Sequence, residues 1–205
     1  MPLVGPVLGG LILSQMTSHG LAGSATPQLA MALGNGIVTN ILATGTYVGT
    51  STGLGLGSGT STGFITGPAI IGPSVTGLIL TNMTAVGLAG LSVPQLADSI
   101  GQAFAAHMAT ALVVGVSTIV GIGAGVGTIV GIIAPTMGAV IYSQMLAAGL
   151  AGTASIQLAN AVAMGISTAI STSIVTTTIA GVAVGVVPPA FPPIPATGVD
   201  SGKIV

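Results

Sequence analysis

The chain contains itself three times, and that repetition constrains its fold more than any other feature. Residues 6–30 read PVLGGLILSQMTSHGLAGSATPQLA, residues 73–97 read PSVTGLILTNMTAVGLAGLSVPQLA, and residues 135–159 read PTMGAVIYSQMLAAGLAGTASIQLA. The first two share 15 of 25 positions and the first and third share 14. The units start at Pro6, Pro73 and Pro135, 67 and 62 residues apart. Met16, Met83 and Met145 keep one register, as do Gly20, Gly87 and Gly149, and Gln28, Gln95 and Gln157. Biased composition does not align residues as infrequent as Pro and Met, so each unit must build the same structure.

Each unit predicts a helical hairpin. Pro at the first helical position opens a helix of about 14 residues. That helix closes at Gly20, Gly87 or Gly149, where G-L-A-G suits a C-cap and turn. Thr26 and Ser155 are the expected N-caps of the second helix, with Val93 as a weaker one. The second helices carry apolar residues at steps of four: Leu29, Leu33, Ile37, Ile41; then Leu96, Ile100, Phe104, Met108; then Leu158, Val162, Ile166, Ile170. This spacing makes one buried stripe on each helix.

After each hairpin the period changes to two. Val114, Val116, Thr118, Val120, Ile122, Ala124, Val126, Thr128, Val130 and Ile132 alternate with a set rich in glycine, including Gly115, Gly121, Gly123, Gly125, Gly127 and Gly131. The first unit alternates Gly53, Gly55, Gly57 and Gly59 with Leu54, Leu56, Ser58 and Thr60, and the third is β-branched from Ile174 to Val186. The expectation is a long strand or glycine-centred hairpin in each unit, its glycine face meeting another backbone closely. The competing assignment for 112–134 is a membrane helix, 23 uncharged residues with G-x-x-x-G spacing at Gly121/Gly125 and Gly127/Gly131. Alternation accounts for more positions than that spacing. The expected fold is therefore α+β: residues 1–71, 72–133 and 134–187 as three pseudo-symmetric repeats of helical hairpin plus Gly/Val/Thr-rich β segment, and 188–205 as a Pro-rich extended tail lying along a partner. An all-α membrane protein is the alternative.

Charge now limits how such a fold can be housed. Of 205 residues only Asp98, Asp200 and Lys203 are charged, with 51% hydrophobic residues and 34 Gly. Roughly 50 charges would be ordinary at this length, at about a quarter of residues. Charge repulsion cannot keep the surface solvated, so burial in a large assembly or in a bilayer is expected. One Lys and no Arg exclude electrostatic binding of nucleic acid. The same lack removes the basic region of a secretory signal and the positive-inside code of ordinary membrane proteins. Without Cys, disulfides and thiolate metal sites are absent.

Chemistry-bearing residues are sparse. His19 and His107 occupy non-equivalent repeat positions, which argues against a shared metal or catalytic role. Asp98 lies near the start of a second helix and is expected to serve the helix dipole. The Asn82-Met83-Thr84 sequon falls inside a first helix. No phosphate loop or dinucleotide fingerprint is present, and no Ser or Thr has an obvious base beside it. Catalytic, cofactor-binding and metal-ligating residues are thus all assigned as none, no cofactor is expected, and the chain is expected not to be an enzyme. The repeated amides Gln28, Gln95 and Gln157, and Gln15, Asn82 and Gln144, are expected to form rings about a threefold axis, bonded to one another or to backbone.

With its P-x-x-x-x-h-I-h-S-Q-M and G-L-A-G repeats (h, hydrophobic) and near absence of charge, the chain resembles the hydrophobic minor structural proteins of tailed bacteriophages. That resemblance implies a virion location in the tail tip or baseplate hub, where one chain with three repeats can occupy a threefold axis. It implies other structural proteins of a large assembly as partners and, on release, host membrane lipid, with no nucleic acid and no small-molecule substrate. An integral membrane protein or pore of a cell is one alternative, and a self-assembling fibrous or surface protein another.

Overall fold

The computed structural model describes residues 3–54, 57–66, 71–119, 122–173, 175–182 and 195–204. The fold is mixed α+β. In chain order the elements are α1 (Gly5–Ser18), α2 (Thr26–Thr44), β1 (Thr46–Leu54), β2 (Gly57–Thr66), α3 (Gly72–Ala85), α4 (Ser92–Met108), β3 (Leu112–Ile119), β4 (Ile122–Val130), α5 (Ala134–Ala147), α6 (Thr153–Thr172), β5 (Val175–Val182) and β6 (Pro195–Ile204). Two helices followed by two strands thus occur three times. Each helix packs on the next and α6 packs back on α1, so the helices form a ring. The strands pair in the order β1-β2-β3-β4-β5-β6, antiparallel throughout, and β6 pairs with β1 to close a barrel.

The same local bonds build all three hairpins. Val4, Ile71 and Ile133 are extended residues whose carbonyls accept from the amides of Leu8, Val75 and Met137 at 3.1, 3.2 and 3.0 Å. Pro6, Pro73 and Pro135 sit in the first turn, where a missing N–H costs nothing. At the other end Gly20, Gly87 and Gly149 adopt φ of 77°, 83° and 81°. The next amide, of Leu21, Leu88 or Leu150, then reaches back to the carbonyl of Met16, Met83 or Met145 at 2.9, 3.0 and 2.8 Å. This six-to-one bond with a left-handed glycine is the Schellman closure expected from G-L-A-G. The expected N-caps are not formed. Thr26 and Ser155 already lie inside α2 and α6, whose N-caps are Ala25 and Gly152 without a side-chain bond. Instead the amides of Thr26, Val93 and Ser155 donate to the carbonyls of Gly23, Gly90 and Gly152 at 3.1, 3.2 and 3.1 Å, so the turn itself satisfies them.

Inside the ring, equivalent positions are equally buried. Met16, Met83 and Met145 are 3, 1 and 2% exposed, and Ile12, Ile79 and Ile141 are wholly buried. The stripe of the second helices follows: Leu33, Ile37, Ile41, Ile100, Phe104, Met108, Val162, Ile166 and Ile170 are all at 0–1%. Small residues let the helices approach. A Cβ added at Gly34 would meet the backbone of Gly5 and Gly9 on α1. One at Gly36 would lie 2.7 Å from Ile79 Cα on α3, and one at Gly165 would lie 2.9 Å from Ile12 Cα on α1. Close packing therefore closes the ring at both the α2–α3 and the α6–α1 seam.

The barrel explains the alternating glycines. Following Cα partners around it, Gly53 faces Gly59, then Ser117, Gly125, Thr177 and Gly202, and Gly202 faces Tyr47. The path returns to β1 six residues from where it left, so the stagger equals the number of strands. Eight strands with a stagger of eight tilt by about 36° and leave an interior that side chains just fill. Six strands at the same tilt make a barrel roughly three quarters as wide. Such a bore cannot take a full set of side chains, and glycine at many inward positions reduces the volume to be packed. Burial agrees with the parity: Gly49, Gly63, Val113, Gly127 and Ile129 are buried, while Val48, Thr62, Leu112, Val114 and Val130 are exposed. A Cβ at Gly127 would lie 3.0 Å from Val113 Cγ1 and 3.3 Å from Val114 O, the close backbone approach that the glycine face predicts. Gly121 lies outside the described residues.

Two assignments change. Residues 112–130 are the hairpin β3–β4, which removes the membrane-helix alternative for this stretch and with it an all-α fold. Within the segment 188–205, Pro195–Ile204 is the closing strand of the barrel instead of a tail along a partner. Pro195 can sit there because it is the first residue of the strand. Residues 188–194 lie outside the described residues.

Candidate functional site: a cavity in the helical ring and the barrel wall

At the hairpin-turn end of the ring lies an open cavity of about 460 Å³, lined chiefly by Met16, Leu21, Leu29, Leu96, Met145 and Leu158. Thr26, Ser92 and Ser155 supply its few hydroxyls. Two of the three G-L-A-G turns border this space, through Leu21 and Leu150, whose amides the Schellman bonds fold back onto the helix ends. Leu29, Leu96 and Leu158 are the first residues of the predicted stripe, half-buried where the rest is fully buried. The periodicity located these three. Leu21 and Leu150, in the turns, carried no periodic signal.

The amide rings are not formed. Gln28, Gln95 and Gln157 are exposed and none lines the cavity, because each precedes a stripe leucine by one residue and so points about 100° away from it. Gln144 is exposed as well, and Asn82 Nδ2 donates to Leu78 O of its own helix at 2.9 Å.

His19 Nδ1 lies 2.9 Å from Gln15 O and 3.3 Å from the neighbouring Ser18 Oγ, and His107 Nδ1 lies 2.9 Å from Ala103 O, the carbonyls being those four residues back at a helix end. Asp98 is not in the first turn of α4 but its seventh residue. Its carboxylate accepts from Thr76 Oγ1 and Gln102 Nε2, both at 3.3 Å, and so ties α3 to α4 instead of serving the helix dipole. Among the described residues no group of three His, Cys, Asp or Glu side chains converges on one point.

The second notable surface is the outside of the barrel. Leu112, Val114, Val116 and Val130 on the β3–β4 hairpin are 41, 43, 60 and 42% exposed, and Val48 on β1 is 49% exposed. Val114, Val116 and Val130 belong to the β-branched half of the predicted alternation, which faces outward, while the glycine-rich half, together with Val113 and Ile129, faces in. Thr46, Thr60 and Thr62 share this outward face on β1 and β2. The helix Thr153–Thr172 is long and apolar enough to cross a membrane, but it is built into the ring between α5 and α1. Comparison with protein-family models, with characterised proteins and with solved structures finds no match to this chain.

Proposed function

We propose that the chain is a non-enzymatic structural component of a virion, a hydrophobic element of a phage-type tail tip or baseplate hub that assists penetration of the host membrane. The observation that carries this reading is the threefold succession of helix–helix–strand–strand in one chain, closing both a ring and a barrel. In this reading residues 1–71, 72–133 and 134–187 are pseudo-equivalent units around one axis, and the strand Pro195–Ile204 completes the third. A single chain of that kind can seat on the axis of a trimeric partner without breaking its contacts. Three charged residues in 205 leave the wall no means of staying in water by itself, which supports shelter by other structural proteins until release.

The test is mass spectrometry of purified virions. The reading predicts the chain in the particle, at one copy for each threefold axis of the tail. Recovery from the membranes of uninfected cells, with none in virions, would overturn it and favour an integral membrane protein of the cell.

A further inference from the structure

We infer that the barrel wall, led by the outward face of β3–β4, is the surface of this protein that enters lipid hydrocarbon, and that the helical ring stays outside. This rests on the membrane part of the function proposed above. A spanning or inserting structure must satisfy its own backbone, and a closed barrel does so with no unpaired edge. The outward residues Leu112, Val114, Val116 and Val130 form an uncharged apolar stripe. β6 carries two charges: Lys203 stands opposite Thr176 near the helical end of the barrel, where a cation is compatible with the water boundary, and Asp200 pairs with Ile179 and with Gly49, in register with a buried glycine instead of with the outward stripe. Nine residues of strand, rising about 3.3 Å each and tilted by about 36°, span roughly 24 Å. Lipid-facing bands of membrane barrels are about 25 Å tall. On this face four apolar side chains surround one exposed hydroxyl, Thr128, which suits hydrocarbon better than a protein partner held in register by hydrogen bonds or charge.

The absence of Trp makes the test direct. Single reporters Val116→Trp on the wall and Leu91→Trp in a helical turn are introduced separately, and circular dichroism checks each fold. Protein held in mild detergent is then diluted into vesicles of uncharged phosphatidylcholine with brominated chains. The expected result is loss of most Val116→Trp emission, little loss for Leu91→Trp, and no change in either when salt is raised, since no charge attraction is involved. Val130→Trp, on the neighbouring strand, replaces Val116→Trp if that variant fails to fold. Quenching of Leu91→Trp alone, or of both reporters equally, would overturn the assignment of the wall while leaving membrane entry in place. Quenching of neither would overturn it and remove the membrane part of the proposed function too.

Discussion

Gly20, Gly87 and Gly149 and the glycines of the strands are kept for different reasons, and substitution separates them. At Gly87 the φ of 83° is the constraint and nothing lies within 4 Å of an added Cβ. Gly87→Ala should cost about 1–2 kcal/mol through left-handed strain alone. At Gly127 the constraint is space, since a side chain would press on Val113 and the β3 backbone. Gly127→Val should cost about 1–3 kcal/mol by overpacking, whereas outward Thr128→Val should stay within about 0.5 kcal/mol. Gly77 has neither constraint: it lies inside α3 with open space at its Cβ. Gly77→Ala should stabilise by about 0.5–1 kcal/mol, the usual advantage of Ala over Gly in a helix. Thermal or denaturant unfolding in one detergent condition checks all four. At this scale the C-cap glycines were legible because only one local conformation suits G-L-A-G after a helix. The N-caps were not: Thr26 and Ser155 have capping side chains, but the turn had already bonded their amides.

The hairpins and the strands differ in how much of them a local pattern contains. The helical stripe at steps of four is set by one helix facing one core, so Leu33 to Ile41 and their equivalents could be placed without knowing the neighbours. The bore of the barrel is set by the number of strands and their stagger, which no single segment encodes. Alternation therefore revealed the glycine face and not that it was an inside face, and the Pro-rich composition of 188–205 concealed a closing strand. That strand gives an element-scale prediction. Removing residues 195–205 would leave β1 and β5 as free edges, with Gly49 and the rest of the interior open to water. The shortened chain should lose cooperative unfolding and associate through those edges, as seen by sedimentation in detergent. A monomeric, cooperatively unfolding product would show that β6 is dispensable.

As a whole, the molecule is a ring of helices joined to a barrel too narrow to hold a conventional core. Among the residues whose burial is described, glycines share the interior with Val113 and Ile129, and Leu112, Val114, Val116 and Val130 stand outside. Neither the wall nor the cavity was visible in a list of residue types. What the composition did exclude, electrostatic attachment to nucleic acid or anionic lipid, follows from counting charges and needs no fold. The central claim is closure of the barrel in one chain, with β6 paired on both sides. Since the protein has no Cys, two engineered pairs report on it: Thr52→Cys with Thr197→Cys across β1 and β6, and Thr178→Cys with Ser201→Cys across β5 and β6. Oxidised together in one protein, all four cysteines should join in two intramolecular disulfides within a monomer, assigned by mass spectrometry of the digested chain. A bridge on one side only, or bridges formed between chains, would contradict the closed barrel.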